Sequence, residues 1–139
     1  AYSERDLSIV EGINENPKEE TPGWHCSEME TSQNMAYNMD LVRMDRAVKE
    51  FVHAPKWLGK AFTKTDGSAG VTFKNQEYIV IPMDHHEYSD SGVVGNPFRA
   101  TPEKGEKLFE VFSTYLADFL VELKKVKIAV KDRAFTSRA

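Results

Sequence analysis

The stretch WHCSEMETS, from Trp24 to Ser32, follows a Pro22-Gly23 turn and opens a helix expected over Glu28 to Tyr37. A histidine just ahead of a helix N-terminus lies beside oriented backbone N–H groups, which lower its proton affinity and favour anions. That places His25 well for proton transfer near neutral pH. Trp24 offers an apolar wall that can hold a ring and exclude water. Glu28 and Glu30 leave the helix on different faces; turned inward, Glu30 can orient a histidine or back up a metal ligand. Thr31 and Ser32 bring hydroxyls to the same place. A plain structural role fits these residues too, with His25 packed beside Trp24 and Glu28 stabilising the helix dipole.

Upstream, residues 1–23 form a lead with Leu7, Ile9, Val10 and Ile13, then a polar loop punctuated by Pro17, Pro22 and Gly23. Downstream, Asn38 and Asp40 end the first helix. A second short helix is expected through LVRMDRAVKEF, with Leu41, Met44, Val48 and Phe51 on one face. After an irregular stretch come two expected strands, Gly70–Lys74 and Glu77–Pro82, the second rich in β-branched residues and expected to be buried. The polar loop MDHHEYSDSGVVGNPFRA leads into a long helix over 101–125. Thr101 suits its N-cap, Pro102 its first position and Glu103 its first turn. Leu108, Val111, Phe112, Tyr115, Leu116, Phe119, Leu120 and Leu123 recur at helical steps and predict a face buried against a sheet or helix. The tail from Ile128 to Ala139 is expected to add a short strand or to pack loosely.

Composition excludes several function classes. The chain has 139 residues, enough for one compact domain or part of a larger one. Its formal charge of −4 argues against a nucleic-acid partner; Lys124, Lys125, Lys127 and Lys131 suit a helix C-terminus better than a phosphate backbone. No apolar run approaches the ~20 residues that cross a bilayer, and the N-terminal residues lack the pattern of a signal peptide. A single cysteine, Cys26, rules out an intrachain disulfide and predicts a reducing, cytoplasmic setting.

The segment around His25 resembles the creatininase (creatinine amidohydrolase) family, in which a histidine is followed five positions later by the glutamate of a Glu-Thr-Ser motif. Here these are His25, Glu30, Thr31 and Ser32. Ser91-Gly92-Val93-Val94-Gly95-Asn96-Pro97, then Ala100-Thr101 and Glu103-Lys104-Gly105, is similar to the family's glycine-bearing loop into its last helix. The resemblance covers about residues 20–125; Cys26 departs from the small residue usual after the histidine.

The resemblance implies an α/β, three-layer fold with a mainly parallel central sheet, of which residues 1–139 would be the C-terminal part. Within it, 1–23 would be lead and loop, 24–37 the active-site turn and helix, and 101–125 the last helix. It also implies divalent ions (zinc, manganese or magnesium) that activate water. His25 and Glu28 then become the catalytic candidates, Trp24 the substrate-binding residue, and Glu30, Thr31 and Ser32 their support. The family's metal ligands, a Glu-x-His pair, an aspartate and a later His-x-Glu, have no match ahead of His25. No metal ligand is therefore assigned within the chain; an N-terminal half of the same protein or a second chain is expected to supply them, in a homo-oligomer.

The expected activity is hydrolysis of a small cyclic amide or an inosose-type cyclic ketone, the latter as in the inositol-catabolism branch. A non-catalytic subunit or degenerate paralogue that binds a partner chain is the alternative. Asp84-His85-His86-Glu87 is a weaker metal candidate, because neighbours on an extended strand point apart; it suits the rim of an active site. Cys26 beside His25 does not make a nucleophile pair, since catalytic pairs meet in space rather than in sequence. His53 is expected to be a surface or packing histidine.

Overall fold

A computed structural model describes residues 24–127. The lead at 1–23 and the tail at 128–139 lie outside the described residues. The order of regular elements is α1 (Glu28–Tyr37), β1 (Phe62–Thr63), β2 (Gly70–Phe73), β3 (Gln76–Val80), α2 (His85–Tyr88) and α3 (Pro102–Leu123).

The helices α1 and α3 pack on each other and form the main body of the described chain. Glu28, Thr31, Ser32 and Met35 form the buried face of α1, at helical steps of three and four. Met39, just beyond the helix, is exposed. Small polar residues win because the helices approach closely: a Cβ on Gly105 of α3 would overlap the Ser32 carbonyl group. The Ser32 hydroxyl completes the contact, donating to Glu28 O at 2.5 Å and accepting from Thr101 N at 3.1 Å. Below this seam Leu108 is fully buried against Met29, Val111 and Phe112. Burying one such leucine stabilises the fold by roughly 1.5–3 kcal/mol.

Thr101 caps α3 as expected, accepting from Lys104 N at 3.3 Å, with Pro102 in the first turn. The apolar stripe is another matter. Only its first turns are covered, while Tyr115, Leu116, Phe119, Leu120 and Leu123 are exposed. Helical periodicity is correct; burial of the whole face does not occur among the described residues.

The chain is of mixed helix and strand character, and its sheet is small, three-stranded and antiparallel, in the order β1-β2-β3. Lys74 and Asn75, at φ 48° and 61°, form the two-residue turn between β2 and β3. Such a turn joins only antiparallel neighbours. No parallel sheet occurs among the described residues. Val71 is buried, yet every residue of β3 is exposed, so the EYIVIP strand is an uncovered edge and not a core strand.

The helix expected over 41–51 is replaced by two short 3₁₀ turns, Met39–Leu41 and Met44–Arg46. Leu41, Val48 and Phe51 are exposed there, leaving no buried face to hold an α-helix. The expected loop at 84–87 contains one helical turn, α2, closed by a reciprocal box between Asp84 and Glu87.

Candidate active site

The segment 93–95 organises the site through its backbone. Val94 exchanges hydrogen bonds with the 24–25 strand: its N–H donates to His25 O at 2.8 Å, and its carbonyl accepts from Trp24 N at 2.8 Å. The next residue faces the other way. Gly95 N donates to Glu50 O at 2.7 Å and its carbonyl accepts from Glu50 N at 3.2 Å. Successive residues of an extended segment present their hydrogen-bonding groups to opposite sides, so Val94 and Gly95 fix His25 and Glu50 in register with each other.

His25, half-buried, lines an open cleft of about 520 Å³ with Cys26, Glu30, His85, His86 and the 89–92 loop. That volume suits a small molecule. Its ring lies 4.6 Å from the His85 ring, tilted by 59°. His85 is itself held at both nitrogens. Nε2 is 3.1 Å from Gly92 O, a group that only accepts, so Nε2 carries the proton; Tyr88 Oη, 3.2 Å away, then donates to Nδ1. With both nitrogens engaged, His85 meets His25 with its ring. Burial lowers the His25 pKa below the usual 6.5, and the neighbouring His85 lowers it further, against a smaller opposing effect of Glu30. The free imidazole of His25 is therefore favoured at neutral pH, in the form that accepts a proton.

The other residues named from sequence take varied positions. Glu30 Oε2 accepts from Cys26 N at 2.7 Å, closing the turn in which Cys26 adopts φ 50°. Ser27 opens α1 without a side-chain cap bond, so Glu30, three residues after it, does the capping by reaching one residue further back, to Cys26. Thr31 Oγ1 donates to Cys26 O at 3.2 Å. Glu30 and Thr31 thus hold the His25 turn, whereas Ser32 lies in the α1–α3 seam. Glu28 is not among the residues lining the cleft; it is buried beside Lys104 Nζ at 2.5 Å. Trp24 packs on Gly67, where a Cβ would come within 2.6 Å of the indole's own Cβ. Trp24 Nε1 is buried with no partner among the described residues.

On the far side of the 93–95 segment, Glu50, His53 and Asp90 bring one ligand-type atom each to within 4.8 Å of one another. Glu50 accepts from Asp90 N at 2.6 Å, from Ser91 N at 2.9 Å and from Ser91 Oγ. Burial opposes its charge, but the hydrogen bonds from Ser91, Asp90 and Ser89 outweigh it and hold the carboxyl below the usual glutamate value. His53, expected to be a surface or packing residue, is half-exposed and faces Asp90. Sequence spacing gave no sign of this group, since Glu50 and Asp90 are 40 residues apart.

Residues 5–120 match the family model for Creatininase, described as creatinine amidohydrolase. The chain belongs to the creatininase family. No curated protein and no solved structure gives a match. Creatininase-family membership points to a divalent-metal-dependent hydrolase, and of the motif residues Glu30, Thr31 and Val94 hold the His25 turn, Ser91 and Gly92 line its cleft, and Gly95 bonds to Glu50. Among the described residues, Glu50, His53 and Asp90 are the one group of three metal-type ligands. Three donors meet the need of a single ion; a pair of ions bridged by water requires more. The described part of this creatininase-family chain therefore does not fit a two-ion centre by itself. No helix among the described residues is long and apolar enough to cross a membrane.

Proposed function

We propose that this chain carries the proton-transfer histidine of a metal-dependent hydrolase acting on a small cyclic carbonyl compound, a cyclic amide or an inosose-type cyclic ketone. The observation that carries the reading is His25 itself, at a cleft of substrate size, with its free-base form favoured by burial and by His85. Hydrolysis of a ring amide requires removal of a proton from water as it adds to the carbonyl, then delivery of a proton to the departing nitrogen. One imidazole does both in turn, as base and then as acid. A divalent ion (zinc, manganese or magnesium), when bound, polarises the carbonyl and lowers the pKa of water.

In this reading the chain's own residues divide the remaining work. Glu30 and Thr31 hold the His25 turn and Val94 bonds to its backbone, while Trp24, assigned from sequence to substrate binding, is not among the residues lining the cleft and packs on Gly67. Glu28, assigned from sequence to catalysis, acts by clamping α1 to α3 through Lys104. The ligands for paired ions come from an upstream segment or a second chain. The three-layer fold with a parallel central sheet is completed in the same way, and the uncovered stripe of α3 and the open β3 edge support that completion. A cytoplasmic homo-oligomer serving carbohydrate breakdown is part of the same proposal.

The test is turnover of creatinine-type cyclic amides and inosose-type ketones by the metal-loaded assembly. His25→Ala should lower kcat by about 10²-fold or more, the scale of a lost general acid–base, with circular dichroism unchanged. Unaltered kcat removes His25 from the mechanism. A folded chain without hydrolytic activity on either class, alone or with its partner segment, favours the non-catalytic subunit.

A further inference from the structure

The Glu50, His53 and Asp90 group stands apart from the family motif residues, and its geometry has a chemical meaning of its own. His53 Nε2 lies 3.4 Å from Asp90 Oδ1, long for a charge-assisted hydrogen bond. Two ligands each bonded to zinc at the usual lengths, at a tetrahedral angle, are separated by about 3.3 Å. The pair therefore already has the spacing of one edge of such a site, and the Glu50 carboxylate completes a face within 4.8 Å.

The three donors are also held in place. Glu50 is pinned by two backbone bonds to Gly95. His53 N donates to Tyr88 O at 3.0 Å. Asp90 N and Ser91 N both donate to the Glu50 carboxylate, so the loop that carries Asp90 is tied to the residue opposite it. Those bonds place two acceptor contacts on Oε2 and one on Oε1, and Ser89 adds a further side-chain bond to the carboxylate, which fixes its orientation. Two carboxylates face each other here, and a cation between them relieves their repulsion. One imidazole with two carboxylates is a donor set for a borderline divalent metal such as zinc, with a fourth position left for water.

We propose that Glu50, His53 and Asp90 bind one zinc-class divalent cation at the rim of the His25 cleft. Asp90 lines that cleft as well, so the ion's open position is close to a carbonyl-bearing ligand. The site uses only residues of this chain and does not depend on His25 being catalytic.

The test is equilibrium dialysis of the chelator-treated full chain against Zn²⁺, with bound metal read by elemental mass spectrometry. Visible absorption with Co²⁺ as a tetrahedral probe is a second readout. One equivalent is expected. His53→Gln and Asp90→Asn should each weaken Zn²⁺ binding at least tenfold, and the double variant should abolish the Co²⁺ bands. Glu50→Gln is the poorer probe because its carboxylate also ties the 89–91 loop; the other two side chains are exposed enough to replace without unfolding, which circular dichroism checks. His25→Gln should bind Zn²⁺ as the parent does. Absence of bound zinc at about 0.1 mM free metal, a concentration that detects even weak sites, overturns the proposal. So does a double variant that retains zinc. Lost turnover with retained zinc in His25→Gln separates this site from the catalytic reading.

Discussion

His25 and Glu50 are bonded to adjacent residues of one segment, Val94 and Gly95, and His53 follows three residues after Glu50 with its own N–H on Tyr88 O, yet the surroundings of the two histidines oppose each other. His25 is half-buried beside a second imidazole, which disfavours its protonated form. His53 is out in solvent, facing Asp90 and near Glu50. The first environment suits a group that must give and take a proton; the second suits a group that shares its lone pair with a cation. A single backbone rung thus sets two kinds of chemistry side by side, and what differs is which charges each ring meets.

The severest way to break that comparison is to remove the rung. Val94→Pro deletes the N–H that donates to His25 O and should cost about 3 kcal/mol or more of unfolding free energy. It should also abolish both turnover and zinc binding. A urea midpoint and a zinc stoichiometry equal to the parent's would show that the two sites do not share a frame. A smaller effect is expected at the seam beneath His25. Gly105→Ala places a Cβ into the Ser32 carbonyl and should destabilise by roughly 1–3 kcal/mol, the range for overpacking. Because the seam supports α1 and not the 50–53 segment, zinc binding should persist while turnover falls. Equal loss of both would argue against separate supports.

Glu28→Gln sharpens the comparison from another side. The carboxylate is buried against a partly exposed Lys104, so its loss should lower stability by about 1–2 kcal/mol, below the range for fully buried pairs. If Glu28 only clamps the helices, kcat in the folded protein stays within about threefold of the parent. A fall of 10²-fold at unchanged KM would return Glu28 to the reaction itself.

Much of this was legible from residue order, and the failures share a cause. The limits of α1 and the N-terminus of α3 follow from caps, prolines and periodicity, which are local. The burial of α3 beyond Phe112 and of β3 was not predictable, because periodicity says which face is apolar and not what covers it. The 41–51 stretch shows the same limit: an apolar spacing without a surface to pack on gives 3₁₀ turns. The His25 turn was readable because Glu30 and Thr31 lie within five residues of Cys26. The Glu50, His53 and Asp90 group was not, since a loop 40 residues away folds back to complete it.

The smallest expected effect concerns pH, and it reads the surroundings of His25 directly. The folded pKa of His25 lies below the unfolded value of 6.5. Between the two values the unfolded chain binds more protons, so stability rises with pH across that window. The contribution is complete above about pH 6.5 and is lost as pH falls through the lowered folded value. Urea midpoints of the parent and His25→Gln should therefore diverge from neutral to acid pH, with the parent losing more. The imidazole carbon protons of His25 should titrate with a midpoint below 6.5. Turnover should fall on the acid side through that same midpoint, since the free base starts the reaction. His85→Phe removes the neighbouring imidazole and should move the midpoint up, although burial, the larger cause, keeps it from returning fully. A His25 midpoint at or above 6.5 in the parent would mean that the ring is not held as a base, and the contrast with His53 would collapse.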